Sequence, residues 1–254
     1  MRRPLAGLAP PVLLLTAIVG FWEVWARRGA GASAVLPPPT AIVAAAVRTR
    51  DTLAGHVATT LGETALGIVV GVGGGVLIAV VVALAGPVRA ALQPLLVASQ
   101  TVPVQVLAPL LVLWFGFGLL PKVVVVALVV FFPVTVATSA GIRHADDDLA
   151  DLVRSYGGGR FRTLRMVLLP AALPGLFAGL RISLTYAVAG AVIAESIGAR
   201  SGLGLYIDRS RRAFRYDQVF AGIAVVVGLS MALYLLTDVL ARALTPWTTT
   251  EENP

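Results

Sequence analysis

The side chains in this sequence that could do chemistry are few. His144 is followed closely by Asp146, Asp147 and Asp148, a spacing that could gather ligands around a cation. The same acids begin an amphipathic run, where a helix dipole favours negative charge, and that reading explains them better. His56 is expected in a different loop, on the opposite side of any membrane the chain crosses. The glycine clusters "GVGGG" and "YGGGR" could approach a phosphate, but neither carries the Lys-Ser/Thr step that a phosphate-binding loop requires. No Ser-His-Asp pairing can be placed, and the absence of cysteine excludes thiolate, disulfide and zinc-finger chemistry. The expectation is a chain that is not an enzyme, with no cofactor and no metal of its own.

The elements that position these residues are apolar. The 254 residues are 57% hydrophobic and 13% charged, with mean hydropathy +0.88, against about a quarter charged in ordinary soluble domains. A span needs about 20 mainly apolar residues, and six segments qualify: 5–26, 61–86, 94–117, 122–142, 171–199 and 218–241. They are too long for strands and lack the alternation of an outer-membrane barrel. The expected fold is all-α and integral to the membrane, one domain over 1–254, with a polar loop at 143–170. The formal charge is +7 and Lys122 is the only lysine; the basic residues scatter at the ends of apolar runs, which argues against a nucleic-acid surface.

Arg2, Arg3 and the following apolar run imitate a signal peptide, but 22–28 separates that run from the small residues 32–34. A retained first span is expected. "VLPPPT" reads as a stiff turn before a short helix. Gly67, Gly71 and Gly75 form one small-residue stripe, and Gly175, Gly179, Ser183, Ala187 and Ala191 another; both predict helix–helix interfaces. Lys and Arg divide evenly between the two sides, so the positive-inside rule does not orient the chain.

The most polar stretch is "DLVRSYGGGRFRTLRMVLLP", 151–170. Leu149, Leu152, Val153 and Tyr156 fall at i, i+3, i+4 and i+7, one helical face. Gly157 to Gly159 end that helix, and a second run places Phe161, Leu164 and Leu168 opposite Arg160, Arg162 and Arg165. Pro170 is expected to stop the second run before the fifth span. Two readings fit: helices lying on lipid headgroups, or an apolar face made to enter a partner's groove.

This stretch resembles the EAA loop of permease subunits of bacterial ABC importers, whose pattern is Glu-Ala-Ala, three residues, Gly, nine residues, Ile, any residue, Leu-Pro. Asp151, Leu152 and Val153 stand at the Glu-Ala-Ala positions, Gly157 is the glycine, and Val167 to Pro170 close the pattern. Asp keeps the acid's charge, while the two alanines are lost. "VLPPPT", "QTVPVQVLAPLLVLWFGFG", "LLPAALPGLFAGLRISL" and "AESIGARSGLGLYI" are similar to segments of the nitrate, sulfonate and taurine branch, and the likeness runs from Trp22 to Trp247.

The resemblance implies a type I importer permease with six spans in the bacterial cytoplasmic membrane, both termini and the EAA loop cytoplasmic, with 35–40 and 201–216 outside. It implies a permease homodimer, a partner ABC ATPase that binds ATP and Mg, and a separate substrate-binding protein, for which the outward basic residues would form a docking face. Asp151, Leu152, Val153, Tyr156, Gly157, Arg160 and Pro170 would form the ATPase-coupling element. Polar residues within the spans are candidates for the translocation pathway: Gln100, Thr101, Gln105, Ser139, Tyr186 and Glu195, although Ser139, like Thr135 and Ser183, is equally explained by a bond within its own helix. Glu23, Arg181 and Glu195 are the ionisable residues singled out inside spans, lining a cavity or else snorkelling or capping a neighbouring helix. The cargo implied is an aliphatic sulfonate, taurine or nitrate; a thiamine pyrimidine precursor or riboflavin is the alternative. An ion-coupled secondary transporter, a different class, would call for an inverted repeat and a central acid, and neither is evident.

Overall fold

The computed structural model describes residues 9–28, 35–84, 98 and 103–247, and the regular elements among them are helices. α1 (Ala9–Arg28) leads to α2 (Pro39–Arg48) and the long α3 (Arg50–Leu84). α4 (Val104–Phe115) and α5 (Leu119–Arg143) follow, then the short α6 (Asp147–Ser155) and α7 (Arg160–Thr163). A π-helical turn, Leu164–Leu168, joins α7 to α8 (Leu169–Glu195); α9 (Leu203–Arg212) and α10 (Tyr216–Leu244) complete the chain.

Four helical runs among the described residues are long and apolar enough to cross a membrane: α3, α5, the continuous run Arg160–Glu195 and α10. They correspond to the spans expected at 61–86, 122–142, 171–199 and 218–241. The span expected at 5–26 corresponds to α1, 20 residues long. The one at 94–117 ends in the 12-residue α4, and most of its remainder lies outside the described residues.

α5 is the axis of the bundle, and both small-residue stripes pack against it. A Cβ on Gly71 would lie 2.6 Å from the Ala127 carbonyl oxygen, and one on Gly67 would strike the Val126 side chain. On the other side, a Cβ on Gly175 would lie 2.5 Å from the Ala137 carbonyl and one on Gly179 2.8 Å from that of Pro133. Close backbone approach is what holds helices together where lipid removes the hydrophobic drive. Val126, Val130 and Val134 then interlock with Leu184, Ala187 and Ala191 as the buried core.

Two boundaries differ from the sequence reading. α3 begins at Arg50, before its apolar run, because Leu53 is buried against Leu203 and Tyr206. His56 therefore stands on a helix rather than in a loop. Pro170 does not stop the second amphipathic run. A proline removes one helical hydrogen bond and crowds the carbonyl four residues back, here Met166. The π turn that contains Met166 shifts the backbone register, and the helix continues to Glu195.

The bundle has two distinct ends. Lys122 at the start of α5 meets Glu63, and Glu195 at the end of α8 meets Thr60, both on the first half of α3. At the other end Ala79, Ile142 and Ala172 pack together beside the 143–170 segment. α9 and that segment thus lie at opposite ends, as the sequence reading requires.

Candidate functional site

The amphipathic element is built from two local motifs. Asp146 caps α6, its carboxylate accepting from the Asp148 and Leu149 amides at 2.9 and 3.4 Å. At the far end the Gly158 amide donates to the Val153 carbonyl and the Gly157 amide to that of Arg154, both at 2.9 Å. This is a Schellman cap, which needs a left-handed residue after the helix; Gly157 supplies it at φ +78°. Gly158, one of the three glycines expected to end the helix, also has no room for a side chain: a Cβ there would lie 2.5 Å from the Val153 side chain.

α6 is anchored by Ala150, which is buried, while Leu149, Leu152 and Tyr156 are exposed, Tyr156 by 81%. Phe161 is exposed by 76%, and Val153 is half-buried. Asp151 pairs with Arg154 at 2.7 Å in the open. Arg160 is exposed at the start of α7, and Pro170 is half-buried within α8. Thr163, Leu164 and Val167 are buried and tie the element to the bundle. The apolar face is thus held at a fixed position on the end of the bundle and left uncovered by this chain. His144 Nδ1 bonds the Ala140 carbonyl oxygen at 2.8 Å in its own helix.

The polar residues within the spans are placed as follows. Gln100 and Thr101 lie outside the described residues, as does the side chain of Gln105. Thr135 donates to the Phe131 carbonyl at 2.7 Å and Ser183 to that of Leu180 at 3.3 Å, bonds within their own helices. Ser139 is buried with its hydroxyl unpartnered, as is the neighbouring Thr138. Tyr186 is exposed on α8. Glu195 is fully buried.

Glu195 belongs to a cluster that sequence reasoning did not assemble. Its carboxylate accepts from the Thr60 hydroxyl at 2.7 Å and from the Gly204 amide at 2.6 Å. Thr60 Oγ1 in turn accepts from the Leu203 amide, and His56 Nδ1 from the Gly202 amide, each at 2.9 Å. Three successive amides at the start of α9 are therefore satisfied by three side chains from α3 and α8. Glu23 acts likewise, its carboxylate accepting from the Thr40 amide at 3.1 Å at the start of α2. Capping, one of the two roles weighed for these acids, is where both stand.

Two acids inside the expected spans were passed over. Glu63 pairs with Lys122, and Asp238 accepts from Arg181 at 2.7 Å and also pairs with Arg242. The signal was present, since each is an acid within an apolar run. On α9, outside the spans, hydrogen bonds from Arg211, opposed by some desolvation, and then from Arg212 hold the Asp208 carboxyl below its ordinary range.

Residues 71–250 match the family described as binding-protein-dependent transport system inner membrane component. The chain is 34% identical over 97% of its length, and 98% of the relative's, to the formylaminopyrimidine transport permease protein ThiX of Halalkalibacterium halodurans. It is 33% identical over 97% of its length, and 90% of the relative's, to the putative aliphatic sulfonates transport permease protein SsuC of Bacillus subtilis. Among solved structures, a chain of the MetNI methionine ABC transporter in inward facing conformations superposes with TM-score 0.69 at 20% identity, covering 78% of this chain and 98% of that one.

Proposed function

Given that the chain belongs to the family of binding-protein-dependent transport system inner membrane components, we propose that it forms the pathway of an ATP-driven importer for a small solute. It is a transport permease of the sulfonate and taurine type and not an enzyme; ATP is hydrolysed on a partner ABC subunit. Two copies form the pathway, both termini face the cytoplasm, and a separate substrate-binding protein delivers cargo on the side of α9.

The observation that carries the reading is the uncovered apolar face of α6 and α7, with Leu149, Leu152, Tyr156 and Phe161 exposed beside Asp151 and Arg160. An apolar helix face enters a groove on a partner far better than it meets water. ATP-driven closure of the ATPase pair pulls on these faces, and the continuous helical run from Arg160 to Glu195 passes the movement through the bundle. ATP and the loaded binding protein must each prefer the outward state, because a ligand shifts an equilibrium only by its differential affinity.

The test is extraction in mild detergent from the native host. A stoichiometric ATPase subunit on the purified chain supports the importer; a lone chain showing substrate-driven ion flux in liposomes would identify a secondary transporter instead. For cargo, an aliphatic sulfonate, taurine or nitrate is the first reading, supported by the SsuC relative. A pyrimidine precursor is the second, supported by the ThiX relative. Failure of a deletion strain to grow on alkanesulfonate or taurine as sole sulfur source, cured by sulfate, selects an organosulfonate; normal growth points to the others.

A further inference from the structure

At the end of the bundle opposite the coupling element, α3, α9 and the start of α10 enclose a cavity of about 370 Å³. Thr52, His56, Tyr206, Arg209, Arg215 and Gln218 are among its lining residues, and no acid is. The acids nearby are engaged elsewhere: Asp208 holds Arg211 and Arg212, and Asp217 holds Arg48. Arg209 and Arg215 have no carboxylate among the described residues within ion-pair distance, so the cavity carries two uncompensated guanidinium groups. His56 Nδ1 accepts from the Gly202 amide, which places the proton of the neutral ring on Nε2 as a further donor. Thr49 donates to the Ala45 carbonyl and so accepts from the Tyr206 hydroxyl. The lining is rich in donors and poor in negative charge, the converse of a cation site.

The rim carries a second feature. α9 ends in a Schellman cap, the Arg215 amide donating to the Ser210 carbonyl at 2.9 Å and the Phe214 amide to that of Arg211 at 3.1 Å. At the position where Gly157 serves α6, this cap has Phe214, at φ +56°. A bulky residue there is strained and persists where its side chain has a use. Phe214 is 78% exposed beside Arg215, with its ring edge-on to Tyr216. Exposed aromatics beside arginine are what protein interfaces select.

We propose that this cavity receives an acidic side chain of the substrate-binding protein, its carboxylate held by Arg209 and Arg215, with Phe214 as the apolar anchor beside it. The inference rests on the importer reading and adds to it the docking residues. Arginine suits the role because its planar fork meets both carboxylate oxygens at once. A free anion would use the guanidinium groups but has no use for an aromatic held outward at a conformational cost.

The test uses the full complex of permease and ATPase in liposomes, titrated with the binding protein purified from the same host. The readout is the concentration giving half-maximal stimulation of ATP hydrolysis. Arg209→Ala with Arg215→Ala should raise it at least about tenfold and flatten its dependence on salt. Phe214→Gly should raise it severalfold while leaving the thermal midpoint equal or higher, an outcome a merely structural role would not give. Arg211→Ala, outside the cavity, serves as control. Unchanged half-saturation in both variants overturns the proposal, as does a defect confined to the transport of anionic solutes. Should no binding protein stimulate the wild-type complex, the importer reading fails and takes this one with it.

Discussion

Lys122 and Glu63, 59 residues apart, form a 2.5 Å ion pair with side chains 10% and 6% exposed. The pair joins the start of α5 to α3. Removing one partner leaves the other charge uncompensated in a poorly solvated site, which costs about 3–5 kcal/mol, whereas replacing both by apolar groups is often neutral. Lys122→Met alone should therefore lower the thermal midpoint in detergent, and Glu63→Met with Lys122→Met should restore most of it. A double variant no better than the single would show that the residues are not energetically coupled.

What was legible in the sequence was local or periodic. The stripes of Gly67, Gly71 and Gly75 and of Gly175 and Gly179 forecast interfaces because close approach is written in residue size, although their shared partner, α5, was not evident. The cap by Asp146 and the turn at Gly157 were legible for the same reason, each involving only nearby residues. The start of α9 was not, since Gly202 finds His56 across 146 residues and Leu203 finds Thr60 across 143. Phe214 was invisible too, because helix ends of this form normally announce themselves with glycine.

Gly71 and Gly73 separate packing from propensity. A Cβ on Gly71 would lie 2.6 Å from the Ala127 carbonyl and 2.9 Å from Val130 Cβ, while one on Gly73 meets nothing within 4 Å. Both are within α3. Gly73→Ala should gain about 0.5–1 kcal/mol from helix propensity, and Gly71→Ala should lose stability by forcing α3 from α5. Thermal denaturation of the two variants side by side checks the sign of each.

Thr60 is fully buried, donates to Glu195 and accepts from the Leu203 amide. Thr60→Val keeps the shape and removes both bonds, leaving an amide and a carboxylate oxygen without a partner. Each unmet buried group costs about 1–3 kcal/mol. Hydrogen exchange at the start of α9 should accelerate, and Thr60→Ser should restore protection. An unchanged exchange rate in the valine variant would mean that solvent already reaches those amides.

The Gly157 amide closes the cap on α6, and its φ of +78° lies where proline cannot go. Gly157→Pro removes that donor and forces φ to about −65°, so the chain should still reach the membrane but lose uptake. Persistence of uptake would show that the cap does not set the position of the apolar face.

Leu152 on α6 and Tyr156 at its C-cap are exposed and make no contribution to the buried core. Exchanging such residues for charged ones has little effect on stability, usually within about 0.5 kcal/mol. Leu152→Glu and Tyr156→Glu should therefore leave the thermal midpoint of the isolated permease in place while placing a charge in the groove that receives them. A desolvated, unpaired charge in an interface is strongly unfavourable, so both variants should lose the ATPase subunit on purification and lose transport. If the ATPase remained bound at full stoichiometry, this face would rest on lipid headgroups, and the contact with the ATPase would have to be sought elsewhere on the same end of the bundle.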